Sequence, residues 1–521
     1  IELAAARVRH LPVAELAVRG DDGLRLLGRP GPASRHRTLE AAFAWTWDLL
    51  DADERSVLPQ LAALPRTFDL DLVDAVVGPG AAGVVLGLLD RSLVSPTVGA
   101  SQPTRYRLLD SLRSFVLART DATIVHRARL AHAEYHAGRV GKLADRIRTD
   151  DSRSLVQEAR RIAREVAAAI DWAAAEQAPL AVSLGRSLAI ILEQIGPDPE
   201  SLAALARAAR TPAVRASVTA TDLYEIGKAV CYSDVELVDD LAALATEIAK
   251  DARSRLAAHH LTGWADAYQN RPTSAMGHLE AAERLAIECD DLWQLACIRQ
   301  ARGVVMRREM VDPAGALAMF ESAAETYALA GDAMHVNNCR YMMAAVAASS
   351  GERVDEAIVW IDECAAYARA TGNRVEVAHA ILTRARLRPR PDNDALLLDA
   401  IDAFRAGGDL RCLTGSYLEL ARQPSRSDAI ALLEAALGVA NEANDQTNQV
   451  TVLERLIVAC WESGAQRKAA TALGVLINLI GRVDATSRCP PAMVESLPRW
   501  RTAIADGQAN GYTCRERTDP L

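Results

Sequence analysis

From Thr123 onward, apolar residues return at helical spacing, and the pattern repeats. A small, large, small triplet at i, i+4, i+7 recurs as Ala275/Leu279/Ala282, Ala316/Phe320/Ala323, Ala357/Ile361/Cys364 and Ala429/Leu433/Ala436. Each triplet lies on one face of a helix. Each is followed by a residue suited to stop it: Asp290, Gly331, Gly372 and Asn444. The first three copies lie 41 residues apart, and a blurred copy, Leu396/Ala400/Ala403, occupies the longer interval before the fourth. Gly263 stands twelve residues before Ala275, where a missing side chain lets the two helices of a hairpin approach closely. The pattern predicts stacked helical hairpins that bury a continuous core between neighbours and leave a concave groove for partners.

The first quarter of the chain is patterned differently. Gly28 to Pro32 is a Gly/Pro-rich break after a short helical piece. Thr38 is placed to cap a helix through Leu49, and Asp51 with Glu54 forms a capping box for the next one, which turns Val57, Leu58, Leu61 and Leu64 inward. Helices near Leu70 to Val77 and Ala82 to Asp90 follow. Two short extended runs, Ser92 to Ser95 and Arg105 to Leu108, then flank a Pro/Gly/Ser linker. Short helices, a hairpin and a closing helix predict a winged-helix domain. The expected fold is all-α: a leading piece over 1–34, a winged helix with a small β-hairpin wing over 35–121, first helical hairpins over 122–255, and a helical solenoid over 256–521.

Composition supports the helical reading. Half of the 521 residues are hydrophobic but only 4% are aromatic, a balance that favours Ala/Leu helices over sheet and implies several packed units. The net charge of −9 offers no footprint for nucleic acid or an acidic membrane. Nine cysteines, from Cys231 to Cys514, contain no C-x-x-C pair and read as buried thiols in a reducing, cytoplasmic setting. The richest apolar stretch, Ala75 to Leu89, is interrupted by Gly78, Pro79, Gly80, Gly83 and Gly87, so no membrane span is expected. The chain opens at Ile1 inside an amphipathic pattern, with no basic leader, and reads as a fragment of a longer protein.

Several local words carry a resemblance. The runs Arg35 to Leu39 (RHRTL), Trp45 to Arg55 (WTWDLLDADER), Leu88 to Val94 (LLDRSLV) and Tyr106 to Val116 (YRLLDSLRSFV) resemble the winged-helix domain of bacterial STAND signalling ATPases. These include the large LuxR-type and antibiotic-regulator-type transcription factors of actinobacteria. Ile1 to Arg7 is similar to the helix closing their nucleotide-binding domain, and Ala168 to Ala173 to the first helices after the winged helix. The downstream triplets resemble tetratricopeptide repeats, with a longer period than usual. The resemblance implies a switch in which an upstream ATPase domain binds ATP and Mg, the winged helix closes over the nucleotide, and the repeats sense an inducer or a protein partner. DNA would be engaged only through a missing domain of the parent. Relatives place a Met-His-Asp triplet at the end of the winged helix, where the His touches phosphate. Here the triplet is Leu108-Leu109-Asp110, so the sensor place is degenerate: Leu109 has no hydrogen-bond donor, and Asp110 reads as the N-cap of the last helix.

The remaining candidates take ordinary readings. The Ala82 to Asp90 helix is nearly all apolar, and Arg35 to Thr120 carries nine Arg against ten acids, which argues against DNA readout. The alternative, a free-standing repeat scaffold whose winged helix binds DNA, requires bases that this helix lacks. His132 and His136, four apart, lack the H-E-x-x-H order and read as helix-surface histidines, and adjacent His259 and His260 diverge by about 100° and cannot chelate together. Trp264, Trp293, Trp360 and Trp461 read as packing residues, and the pairs Asp239-Asp240 and Asp290-Asp291 as solvated loop ends. No metal site, catalytic constellation or cofactor is expected in this chain. No G-x-x-x-x-G-K-[ST] phosphate loop occurs in it either. Calorimetric titration with Mg-ATP is therefore expected to be flat, and low-micromolar binding would overturn the reading.

Overall fold

The computed structural model describes residues 39–480, apart from breaks at 66, 98–103, 150–152, 232, 270, 310–311, 389–392, 408, 423–427 and 444. Thr38, the leading piece over 1–34, Asn444 and 481–521 therefore lie outside the described residues. The described chain falls into two compact units, one holding 39–146, 158–193 and 200–241, the other 147–157, 194–199 and 242–480.

The first unit begins with α1 (Leu39–Asp48), α2 (Ala52–Ala63), α3 (Leu70–Val77) and α4 (Ala81–Asp90), then β1 (Val94–Pro96), β2 (Tyr106–Leu108) and α5 (Asp110–Leu117). The expected capping box starts α2: Asp51 Oδ1 accepts the Glu54 amide at 2.8 Å and Glu54 Oε2 accepts the Asp51 amide at 3.0 Å. Glu54 has a second task, because its Oε1 takes the Arg91 guanidinium at 2.7 Å and so ties the start of α2 to the end of α4. The first strand begins two residues later than the sequence suggests. Ser92 is left-handed at φ 59° and the Leu93 amide still bonds the Leu88 carbonyl, so the chain is leaving α4 there.

β1 and β2 pair antiparallel, with Val94 opposite Leu108 and Pro96 opposite Tyr106. Phe68 adds a third extended rung by exchanging backbone bonds with Tyr106 at 2.9 and 2.7 Å. Leu58, Leu61, Phe68, Val73, Leu88, Leu108 and Phe115 form the core beneath. Behind it run α6 (Ala122–Ile147), α7 (Arg153–Glu176), α8 (Ala178–Ile195), α9 (Pro199–Arg210), α10 (Pro212–Arg215), α11 (Ala220–Val230) and α12 (Val235–Ile248). One buried network ties the small sheet to α7. Arg105, at the foot of β2, meets Glu165 at 2.6 Å and the Thr67 carbonyl at 2.9 Å, while the Thr67 hydroxyl donates to Glu165 at 2.9 Å. Among the described helices only α8 is long and apolar enough to cross a membrane, and 56% of it is buried within the protein, as in a core helix.

The second unit is built on six hairpins: α13 (Ala252–Tyr268) with α14 (Pro272–Glu288), α15 (Leu292–Glu309) with α16 (Pro313–Leu329), α17 (Ala333–Ser350) with α18 (Val354–Thr371), α19 (Arg374–Leu387) with α20 (Asn393–Gly407), α21 (Leu410–Ala421) with α22 (Ala429–Glu442), and α23 (Gln446–Glu462) with α24 (Gln466–Ile480). The triplets form the seams. Ala275, Leu279, Ala282, Ala316, Phe320 and Ala323 are all fully buried. The opposing helix is held just as close, since a Cβ on Gly263 would come within 2.7 Å of Leu279, and one on Gly303 within 2.8 Å of the Phe320 ring.

The blurred copy is out of register. Leu396 is 45% exposed, and the buried set is Asn393, Leu397, Ala400 and Phe404. Three consecutive leucines, 396 to 398, fit either face, so periodicity could not choose between them. Corrected, the equivalent positions run Ala275, Ala316, Ala357 at intervals of 41 and then Asn393, Ala429 at 36, and a further copy, Ala465/Ala469/Ala472, follows at the same 36.

The hairpin-to-hairpin junctions after α14, α16 and α18 are punctuated alike. A residue with positive φ ends the helix, as at Asp290 (53°), Gly331 (77°) and Gly372 (72°), a conformation that costs Gly little. The next residue sends its amide back five positions, from Asp332 to Tyr327 and from Asn373 to Ala368, and its side chain then caps the following helix. Asp251, Asp291, Asp409 and Asp445 cap the same way.

Replacing Phe320 by Ala should leave a cavity against Gly303 and cost about 3–5 kcal/mol, while Ala323→Leu should overpack the seam by about 1–3 kcal/mol. Hydrogen exchange should show the loss concentrated between α13 and α18. Equal loss in α1 to α5, or no loss with Ala323→Leu, would overturn the seam.

Candidate functional site: an arginine-lined groove in the repeat unit

The first helices of successive hairpins touch one another, from α13 through α15, α17, α19 and α21 to α23. Between them lies a polar groove of about 330 Å³. Its lining includes Arg307 from α15, Tyr341 and Ser349 from α17, Thr383 and Arg386 from α19, with Glu419 from α21 and Arg422 just beyond it. Glu419 is the acid of this lining and is only 5% exposed. Arg422 reaches it at 3.2 Å and Arg386 at 3.7 Å. Arg455 of α23 stands close by. Burial pushes its pKa down, and the repulsion of Arg422 and Arg386 pushes the same way, against the attraction of Glu419 and, more weakly, Glu454. Guanidinium groups thus outnumber carboxylates here.

A second cleft of about 250 Å³ lies between α18, α19 and α20, and its charged lining residues are Arg369, Arg384, Arg388 and Asp362. Arg384 is paired with Asp362 and Arg388 with Asp355.

Two caps in this unit also hold aromatic or imidazole donors from the preceding first helix. Asp332 gives one oxygen to the His335 amide, and its other oxygen accepts from the Trp293 indole at 2.9 Å and meets His335 Nδ1 at 2.7 Å. Asp409 likewise caps Cys412 and takes His379 Nε2 at 3.1 Å, while His379 Nδ1 faces Glu376 at 3.5 Å. His379, Asp409 and Cys412 offer donor atoms within 4.8 Å of one another, the set among described residues that could hold a metal. Both imidazole nitrogens already face carboxylates, however, and the same arrangement recurs at Asp332 without a thiol. It works as an electrostatic staple between hairpins. The carboxylates hold the His379 pKa well above its ordinary value despite burial, and His379 in turn lowers those of Glu376 and Asp409.

The residues singled out in the sequence fall as follows. Leu109 is 45% exposed, in extended backbone at the N-cap position of α5, and offers no capping side chain. Asp110 is therefore the first helical residue and not the cap, where its charge still suits the helix dipole. The α4 helix buries Ala81, Val85 and Leu88 and exposes Leu86, and the Arg91 that follows it is engaged by Glu54. The wing tip, 98–103, lies outside the described residues.

His132 and His136 are not surface residues: they are 2% and 1% exposed, with rings 4.5 Å apart. The i, i+4 spacing put them on one face, but that face of α6 turned out to be the inner one. His259 and His260 do part company, to His278 at 3.0 Å and Gln294 at 2.8 Å. Trp264 is buried beside Tyr268. Trp293 packs on Tyr327 and His335 and carries the Arg148 guanidinium 3.7 Å above it, and Trp360 carries that of Arg353 at 4.9 Å. Asp239 and Asp240 lie inside α12, not at a loop end, and Asp240 forms a paired contact with Arg215. Of the cysteines, 231, 297, 339, 364 and 460 are buried, and 289 and 412 partly so. Sequence reasoning missed the groove arginines. The available signal was that Thr383/Arg386 and Glu419/Arg422 are separated by 36 residues, the period of the later repeats.

No protein-family profile matches the chain. Over 184 residues it is 33% identical to proteins of Mycobacterium tuberculosis and Mycobacterium bovis named, provisionally, as HTH-type transcriptional regulators; the match covers 33% of this chain and 20% of theirs. The chain thus matches one fifth of the length of these curated relatives. Its fold is similar to that of the Signal Transduction ATPase with Numerous Domains with a tetratricopeptide repeat sensor from Pyrococcus horikoshii, with a TM-score of 0.50 at 12% identity, covering 98% of this chain and 74% of that one. At that identity the likeness concerns the fold alone. A Rap protein complexed with competence and sporulation factor scores 0.40 at 11% identity, over 68% of this chain and 98% of its own, a likeness too slight to carry an argument.

Burial holds the His132 pKa down at about 4 and that of His136 well below the ordinary value, with Arg105 adding to both shifts. Both are depressed, so the stability of the first unit is complete above pH 6.5 and is lost as the pH falls toward 4, by roughly 3 kcal/mol for His132 alone. His379 has the opposite sign: its staple is complete below pH 6.5 and weakens as the pH rises through the raised value. Denaturation followed against pH should show His136→Leu flattening the acid limb and His379→Gln the alkaline one. An unchanged acid limb in His136→Leu would overturn the assignment to the buried pair.

Proposed function

We propose that this chain is the regulatory and protein-interaction part of a STAND-type signal-transduction ATPase of the transcriptional-regulator class. In this reading 1–34 is the tail of the nucleotide-binding domain, and 35–121 is a winged helix that acts as an intramolecular lid. Residues 122–255 are the first helical hairpins, and 256–521 are tetratricopeptide-like repeats whose groove takes a protein partner or small inducer. The observation that carries the reading is the union in one chain of two structures: a small helical unit closed by an antiparallel hairpin, and a stack of capped helical hairpins. The fold likeness to a STAND protein with a repeat sensor and the sequence likeness to regulators support it. The chain itself performs no reaction in this reading, and ATP with Mg belongs to the upstream domain.

The alternative, a repeat scaffold whose winged helix binds DNA, is disfavoured by α4. Its exposed positions are Gly83, Leu86 and the acidic Asp90, none of them a base, and the adjoining Arg91 is held by Glu54. DNA readout needs side chains that reach base edges, with basic contacts to phosphate. Two measurements test the choice, the first on the longer gene product that this reading implies. Removing residues 35–521 should speed nucleotide exchange at least about tenfold, as expected when a lid that biases a closed state is lost. An unchanged rate would overturn the lid. For this chain alone, an electrophoretic shift that survives competitor DNA at about 150 mM salt would favour the alternative instead.

A further inference from the structure

We propose that the groove between α15 and α21 binds a small polyanion, a molecule carrying at least two carboxylate or phosphate groups. The inference deepens the reading of the repeats as a sensor and rests on it. The charge arrangement comes first. Arg307, Arg386 and Arg422 line the groove and Arg455 stands beside it, whereas Glu419 is the acid in the lining. The imbalance is local, because the chain as a whole carries −9. In the other cleft, by contrast, two of the three lining arginines, Arg384 and Arg388, are each held by a carboxylate of their own, Asp362 and Asp355.

The site is also shaped for guanidinium groups. Arg386 lies across α21 at Gly415, where a Cβ would come 2.6 Å from Nη2, so the helix is bare where the guanidinium rests. One turn further on, Glu419 draws Arg386 and Arg422 toward a common point at 3.7 and 3.2 Å. Both arginines remain half exposed, at 41% and 48%, with their remaining donors available to the groove. Planar guanidinium pairs suit carboxylate and phosphate oxygens, which accept two parallel bonds. Tyr341 and Thr383 add hydroxyl groups to the lining, whereas the Ser349 hydroxyl donates to the Ala345 carbonyl at 3.0 Å. The repeat itself builds the pairing, since Arg386 and Arg422 occupy the same position in consecutive units 36 residues apart.

Size selects the occupant. A volume of about 330 Å³ falls at the small end of the range for small-molecule sites and is too small for a folded partner or a nucleic-acid strand.

The test uses the full chain at low salt, about 50 mM, where such contacts are least screened. Citrate, pyrophosphate and a hexaglutamate peptide are titrated by calorimetry, with melting temperature as a second readout. Citrate or pyrophosphate should bind and raise the melting temperature. The double variant Arg386→Gln/Arg422→Gln should weaken that binding at least tenfold, and circular dichroism reports whether it folds. Glu419→Gln removes the competing carboxylate and should tighten binding at least threefold, so the proposal stays testable if the double variant unfolds. Absence of binding by both small probes, or binding unchanged in these variants, would overturn it. Hexaglutamate binding more tightly than either would overturn the small-molecule assignment and give the groove to an acidic peptide. Nucleotide exchange in the longer gene product reads the lid alone, so failure here leaves that reading standing.

Discussion

The hairpins of the repeat unit depend on side chains too small to hold their helices apart. Gly263 faces Leu279, and Gly303 faces Phe320, at distances that leave no room for a Cβ. With Ala275, Ala282, Ala316 and Ala323 on the other wall, each large residue sits in a slot of backbone and methyl groups. Dense packing of this kind makes the seam sensitive to a single methylene. It also makes each hairpin dependent on its neighbours, because a hairpin alone would leave one face of its seam in water.

The polar groups accommodate themselves to that spacing. Each junction starts the next helix with a capping Asp or Asn, and those at Asp290, Gly331 and Gly372 end the previous helix with a left-handed residue, so exposed amides are satisfied where the chain reverses. At Asp332 and Asp409 the cap does more. Its second oxygen holds Trp293 or His379 from the previous first helix, which turns a local cap into a link between hairpins. Because first helices touch one another in series, side chains at one repeat position converge. Arg386 and Arg422 meet over Glu419 for this reason, and the groove inherits its charge from the period of the chain.

The small unit obeys a different economy. Its core is shared among short helices and a two-stranded sheet, and individual polar residues do double duty: Glu54 caps α2 and holds Arg91, while Arg105 joins Thr67 and Glu165. Buried neutral histidines behind it make this unit sensitive to acid. The apolar exterior of α4 suits contact with protein more than with DNA, in keeping with the proposed lid.

Local and periodic features were legible in the sequence. The Asp51/Glu54 box, the α3 helix at Leu70–Val77 and the triplets at 275, 316 and 357 depend on neighbours a few residues away, and these are the scales that capping and helical periodicity govern. Where periodicity was degenerate, as among leucines 396 to 398, the sequence allowed two faces, and only packing against Leu382 and Leu413 in the same core selected Leu397. Burial of His132 and His136 was invisible, since a helix with polar residues on its inner face looks amphipathic the wrong way round. The groove was equally hidden, because Arg307, Arg386, Arg422 and Glu419 come from three helical hairpins and become neighbours only once the stack is closed. Chemistry confined to one turn of helix is written in the chain; chemistry assembled from residues tens of positions apart is decided by how far one hairpin is rotated on the next.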